Sequence, residues 1–152
     1  MMRRAALSLL VILIVGYAPT IEAVPSRQTL VLAAAPGLDI PRLQPDEIRS
    51  LFMGAPVVKQ GVRLRPLLNE SDPLLREVFL QKVMFVSWKH YQRRLVEEAF
   101  RQGWPLPETV SNPHRLVRAL ALEPGAITYM WQDVAQQSNV EVVQTLWSGP
   151  VD

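Results

Sequence analysis

The stretch VRLRPLLNESDPLLREVFLQKV, residues 62–83, decides the fold class. Its first part alternates, with Arg63 and Arg65 between Val62, Leu64 and Leu67, and it turns apolar on both sides at Leu67 and Leu68. That is the pattern of a strand running into a core. Ser71, Asp72 and Pro73 then bring a capping side chain and a proline suited to a first helical turn. Leu75, Val78, Phe79 and Val83 follow at helical spacing. The reading is a strand to Leu68, a cap at Ser71, and a helix from about Asp72 to Met84. A strand feeding a capped helix is the building unit of an α/β sheet.

Upstream, Thr29 to Ala34 is a continuous apolar run between Arg27-Gln28 and Pro36-Gly37, which predicts a buried strand. Gln44, Pro45, Asp46 and Glu47 open a short amphipathic helix whose apolar face is Ile48, Leu51 and Phe52, with Gly54 as its stop. Lys59 to Gly61 is a turn. Downstream, Ser87 caps a helix with Trp88, Tyr91, Leu95 and Ala99 on one face, and Gly103 ends it. Trp104 to Pro107 is a stiff extended connector, because each proline restrains itself and its predecessor. Ser111, Asn112 and Pro113 repeat the cap-then-proline device ahead of Leu116, Val117 and Leu120. Ala126 to Trp131 and Val140 to Leu146 read as strands, with a turn or short helical piece at Asp133 to Gln137 between them. Strand, helix, strand, three helices and two strands imply an α/β fold, a sheet covered by helices.

The N-terminus reads as a secretory leader. Arg3 and Arg4 precede an apolar run from Ala5 to Val15, broken only by Ser8, and Ile21 and Ala23 fit the positions a signal peptidase reads. A signal peptide over residues 1–23, cleaved before Val24, is therefore expected, leaving 24–152 as one domain. An uncleaved anchor is the alternative, but it needs about 17 to 25 apolar residues and this run is shorter. Export into a bacterial periplasm is the expected localisation.

Hydrophobic residues make up 49% and charged residues 20%, so the chain can bury a core and is not a disordered tail. Arg3, Arg4 and Glu22 fall in the leader, which leaves the rest nearly neutral, with no run of like charge. Nucleic-acid binding is set aside on that ground. There is no cysteine, which excludes disulfides, thiol chemistry, cysteine zinc sites and a lipoprotein anchor. The domain is expected to have no membrane span once the leader is removed.

Leu43 to Gly54, Arg65 to Arg76, Phe79, the helix carrying Trp88 and Tyr91, and Glu123 to Met130 together resemble, in order and spacing, the domain of periplasmic phosphate-binding proteins. That is the type 2 solute-binding fold serving ABC importers, and the resemblance spans about residues 28–147. It implies a single lobe of that fold, a mixed sheet covered by helices, and a small oxyanion as ligand. In the family a helix start presents hydroxyls and backbone N–H groups to the anion, which suits the positive end of a helix. The matching residues here are Ser71, Asp72 and Pro73. Asp72 brings negative charge to the anion's place and Pro73 removes an N–H. Thr128 stands where the family strand has glycine.

The resemblance thus makes Ser71, Asp72, Arg76 and Thr128 the candidate ligand-binding residues. Ser71 reads first as an ordinary N-cap, and Arg63, Arg65 and Arg76 as either a counter-charge to an anion or solvated faces. His90 and His114 lie far apart, and nothing joins them into a metal site. The serines sit at caps and no nucleophile elbow or nucleotide loop occurs, so neither an enzyme nor a cofactor is expected. Trp104 reads as an exposed contact or as packing over a sheet edge. Two functions are carried forward. One is an exported, non-enzymatic binding or accessory component of phosphate or small-anion uptake or sensing. The other is a module that has lost its ligand and binds a periplasmic or inner-membrane protein.

Overall fold

The computed structural model describes residues 26–151, and the leader expected over 1–23 lies outside them. The apolar run at the N-terminal end becomes β1 (Ser26–Ala34), whose residues Leu30 to Ala34 have no exposed surface. It sits between two antiparallel neighbours, β6 (Ala126–Trp131) and β7 (Glu141–Val151). On the other side of β6 comes β4 (Arg65–Asn69), parallel to it, and then the short edge strand β5 (Glu108–Val110), parallel to β4. The sheet order is β5-β4-β6-β1-β7, a mixed sheet as the resemblance implied. A separate hairpin, β2 (Val58–Lys59) and β3 (Val62–Arg63), is closed by Gln60 and Gly61, both at positive φ.

Two helical layers cover the sheet because its strands alternate apolar residues between two faces. On one face lie α1 (Pro45–Phe52), α2 (Pro73–Phe79), and α3 (Trp88–Gln102), packed on Leu30, Leu32, Ile127 and Tyr129. On the other, α4 (Pro113–Leu122) and α5 (Gln132–Gln137) meet Val31, Ala33, Leu67 and Met130. The aromatic centre of the first layer is Phe79, stacked on Tyr129 at 3.7 Å and edge-on to Phe52 at 4.9 Å.

Three features depart from the expectation. The helix predicted to run to Met84 is α-helical only to Phe79 and widens into a π-helical turn, Leu80–Met84, ended by Phe85 in the left-handed region. Its cap is Asp72 rather than Ser71. Strand β5 forms directly after Pro107, where the sequence shows only a connector.

Two glycines are required by close approach. A Cβ on Gly125 would lie 2.2 Å from the carbonyl oxygen of Arg63, and the Gly125 carbonyl accepts from Arg65 N at 2.8 Å, which aligns β4 with β6. A Cβ on Gly54 would lie 2.8 Å from the Pro105 carbonyl oxygen, so the Trp104 connector is seated against the end of α1. Trp104 is half-buried there, and a groove of about 430 Å3 opens beside it between Pro56, Leu64, Leu67 and the Pro105 to Pro107 segment.

Candidate functional site

The β4–α2 turn leaves the carboxyl end of a parallel strand, the edge at which open α/β sheets commonly bind ligands. Its geometry begins with Asn69, the last residue of β4, whose side chain is buried. A buried amide must find partners. Asn69 Nδ2 donates to the Tyr129 carbonyl at 3.0 Å, and Asn69 Oδ1 accepts from both Ser71 N at 3.1 Å and Ser71 Oγ at 2.6 Å. Tyr129 Oη returns a bond to the Asn69 carbonyl at 3.1 Å. Burial, with the nearby Glu70 carboxylate adding to it, pushes the Tyr129 hydroxyl well above the ordinary tyrosine range, so it serves as a neutral donor.

Asp72 holds the N-cap position, with extended φ and ψ of −139° and 116°. Its Oδ1 accepts from Leu74 N at 2.9 Å, and its Oδ2 accepts from the Trp131 indole Nε1 at 2.9 Å. A carboxylate of the chain thus takes one of the N–H groups a helix start offers, together with an indole donor from β6. Pro73 offers none. The arrangement satisfies orphan donors and complements the positive end of α2.

The structure brings Ser71, Asp72 and Arg76 onto one helix start and keeps Thr128 apart. Ser71 is half-buried and turned to Asn69, and so does not cap the helix. Arg76 stands one turn in, 3.8 Å from Glu70 Oε1 and with its guanidinium carbon 4.6 Å from the centre of the Trp88 ring. A cavity of about 220 Å3 beside it is bordered by Pro73, Leu80, Val86 and Trp88. Thr128 has no exposed surface, and its Oγ1 donates to the Leu67 carbonyl at 2.8 Å. It points to the α4 face with Ala126 and Met130, whereas Tyr129 and Trp131 point to the α2 face.

Arg65 pairs with Glu123 at 3.7 Å, at the opposite end of β4 from the turn. His90 and His114 are both exposed, and no cluster of three metal-ligating side chains occurs among the described residues. Nor is any helix among those residues long and apolar enough to cross a membrane. Asn69, Glu70 and Trp131 are the contributors that sequence reasoning missed. The one available signal was Asn69, a polar residue directly after Leu67 and Leu68 at a strand end, which has to be bonded if buried.

No family model matches the sequence, and no curated protein is similar to it in sequence. Solved structures are similar in fold. An ABC-type phosphate transport receptor from Vibrio cholerae aligns with a TM-score of 0.57 and 10% identity, over 78% of this chain and 46% of that one. PstS from Borrelia burgdorferi aligns with a TM-score of 0.57 and 11% identity, over 80% of this chain and 49% of that one. The chain spans about half the length of each receptor. In its fold, therefore, this chain is an α/β domain matching a single lobe of the phosphate-receptor type of solute-binding fold.

Proposed function

We propose that the protein is an exported, non-enzymatic component of phosphate or small-anion uptake or sensing, acting in the periplasm after loss of its leader. We further propose that Asp72 occupies the place of the anion, so that free phosphate binds no better than millimolar, about −4 kcal/mol. The observation that carries this reading is the Asp72 carboxylate bonded at once to Leu74 N and Trp131 Nε1, the way an anion would be held at a helix start. Support for the broader role comes from the shared fold of the phosphate receptors.

Of the four residues singled out by the resemblance, Ser71, Asp72 and Arg76 remain in this proposal. Thr128 acts through the sheet. Titration calorimetry with inorganic phosphate tests the reading on the wild type and on Asp72→Gly. The expected result is heat only at millimolar phosphate for the wild type and tighter binding by Asp72→Gly, together with a less stable helix α2. Micromolar binding by the wild type, weakened in Asp72→Gly, would give Asp72 the opposite role, that of an acceptor reading a protonated ligand.

A second reading has its own observation. The groove between Pro56, Leu64 and the Pro105 to Pro107 segment is mainly apolar, and Leu106 beside it is 57% exposed. That favours a partner-binding module with no ligand of its own. It predicts that neither the wild type nor Asp72→Gly responds to phosphate at any concentration.

A further inference from the structure

A cleft of about 510 Å3 lies between α1, the π-helical turn Leu80–Met84 and strand β7, and none of the residues from Asn69 to Asp72 lines it. Arg42, Arg49 and Lys82 line it, and no carboxylate does. None of these three cations enters an ion pair among the described residues, where six of the other eleven do. The acids of the first turn of α1 do not neutralise the cleft. Glu47 is bonded to Gln44 N and to Lys59, and Asp46 is exposed outside the lining.

Aromatic rings hold two of the charges in place without cancelling them. The Arg49 guanidinium carbon lies 5.9 Å from the centre of the Phe85 ring, and Lys82 Nζ lies 6.0 Å from that of Trp147. Phe85 itself is unusual. Its φ of 55° is costly for a bulky side chain, yet the ring is 69% exposed, so core burial does not offset the strain. It directly follows a π-helical turn, a local widening often found at functional sites. The remaining wall mixes apolar side chains, among them Ile48, Val83 and Leu146, with the polar Gln44, Gln144 and Thr145. The volume lies in the range of small-molecule sites.

We propose that this cleft binds a small organic anion, a phosphate ester or carboxylate carrying an apolar or aromatic group. Arg42, Arg49 and Lys82 hold the charged end, and the apolar part lies against Phe85 and Leu146. Cations lining one cleft with no carboxylate among the lining residues select the charge, since guanidinium groups match phosphate and carboxylate oxygens. An exposed ring held in a strained conformation selects the apolar part. A free organic phosphate and an anionic lipid headgroup both present this chemistry.

The test uses the purified protein with phenyl phosphate, inorganic phosphate, and vesicles of phosphatidylglycerol or phosphatidylcholine. Phenyl phosphate is expected to bind more tightly than inorganic phosphate. Arg49→Gln and Lys82→Gln should each weaken it about tenfold or more, the worth of one charge-assisted hydrogen bond. Arg118→Gln, an exposed cation on α4, should leave the affinity unchanged.

Phe85→Gly separates recognition from folding. It should raise the melting temperature by relieving the left-handed strain, weaken phenyl phosphate about threefold to tenfold, and leave inorganic phosphate unaffected. Uptake of phenyl phosphate from solution supports a free ligand. Retention on phosphatidylglycerol but not phosphatidylcholine vesicles, lost in Arg49→Gln, supports the same site with a lipid headgroup as the source. The proposal is overturned if the protein neither binds phenyl phosphate up to about 10 mM, a free energy of about −3 kcal/mol, nor stays on anionic vesicles. It is equally overturned if binding survives both Arg49→Gln and Lys82→Gln unchanged.

Discussion

The turn from Asn69 to Asp72 and the cleft beside Phe85 both hold groups able to meet an anion, and they use them in opposite ways. In the turn, the N–H and O–H of Ser71, the N–H of Leu74 and the indole of Trp131 all donate to side chains of the chain itself. In the cleft, Arg42, Arg49 and Lys82 line the walls with no acid among the lining residues. Residue type sets what a site is able to bind, but the partners within the fold decide whether that capacity is free. A hydroxyl and a helix start therefore make a closed site here, while three scattered cations make an open one.

If the turn owes its order to the packing beneath it, the largest effect comes from removing that packing. Phe79 has no exposed surface and stacks on Tyr129, so Phe79→Ala should cost about 3–5 kcal/mol by urea unfolding. A loss under about 1 kcal/mol would show that the aromatic centre collapses to fill the space and does not hold the turn.

Alkaline pH probes the same layer. Burial raises both Tyr91 and Tyr129 above the ordinary value of 10.0, so an unfolded chain releases their protons first. This stability is fully present below pH 10 and falls as pH rises above it, by about 1.4 kcal/mol per tyrosine per pH unit. Tyr129→Phe should flatten the decline. An unchanged slope in that variant would mean that the Tyr129 hydroxyl is open to solvent.

Next in size is Asn69→Ala, which leaves the Ser71 N–H without its acceptor and takes the shorter of two side-chain donors from the Tyr129 carbonyl, at a cost of roughly 2 kcal/mol. Ser71→Ala should cost about 1 kcal/mol, through the lost bond to Asn69 rather than through a helix cap. A double-mutant cycle distinguishes the two causes. Coupling to Asn69→Ala fits the turn described here, and strict additivity would return Ser71 to a role at the helix. The smallest effect belongs to the cleft, where Arg49→Gln should change stability by no more than about 0.5 kcal/mol because no ion pair is lost.

Much of this fold was legible in the sequence. The runs at Thr29 to Ala34 and Ala126 to Trp131 both lie in buried strands, since near-continuous apolar runs fit a sheet covered on two sides. The cap-then-proline device at Asn112 and Pro113 also reads through, with Asn112 Oδ1 accepting from Arg115 N at 3.0 Å. The same device at residues 71–73 was misassigned by one position. Ser71 and Asp72 are both good caps, and only the buried Asn69, which captures the Ser71 hydroxyl, decides between them.

The π-helical turn was illegible because Val83 still falls at helical spacing after Phe79. Strand β5 was hidden because three residues behind two prolines carry too little pattern, and their strand character comes from pairing with β4. The cleft escaped for a different reason. Arg42, Arg49, Lys82 and Leu146 meet only through the packing of α1, the π-helical turn and β7.

The most direct test of the closed turn is an amide shift titration of the 15N-labelled protein with inorganic phosphate, followed at Ser71 and Leu74. Their N–H groups already donate to Asn69 and Asp72, so both should stay in place until phosphate reaches millimolar concentration. Saturating shifts at Ser71 and Leu74 with micromolar phosphate would show that the turn opens to the anion, and would contradict the assignment of Asp72 to the anion's place.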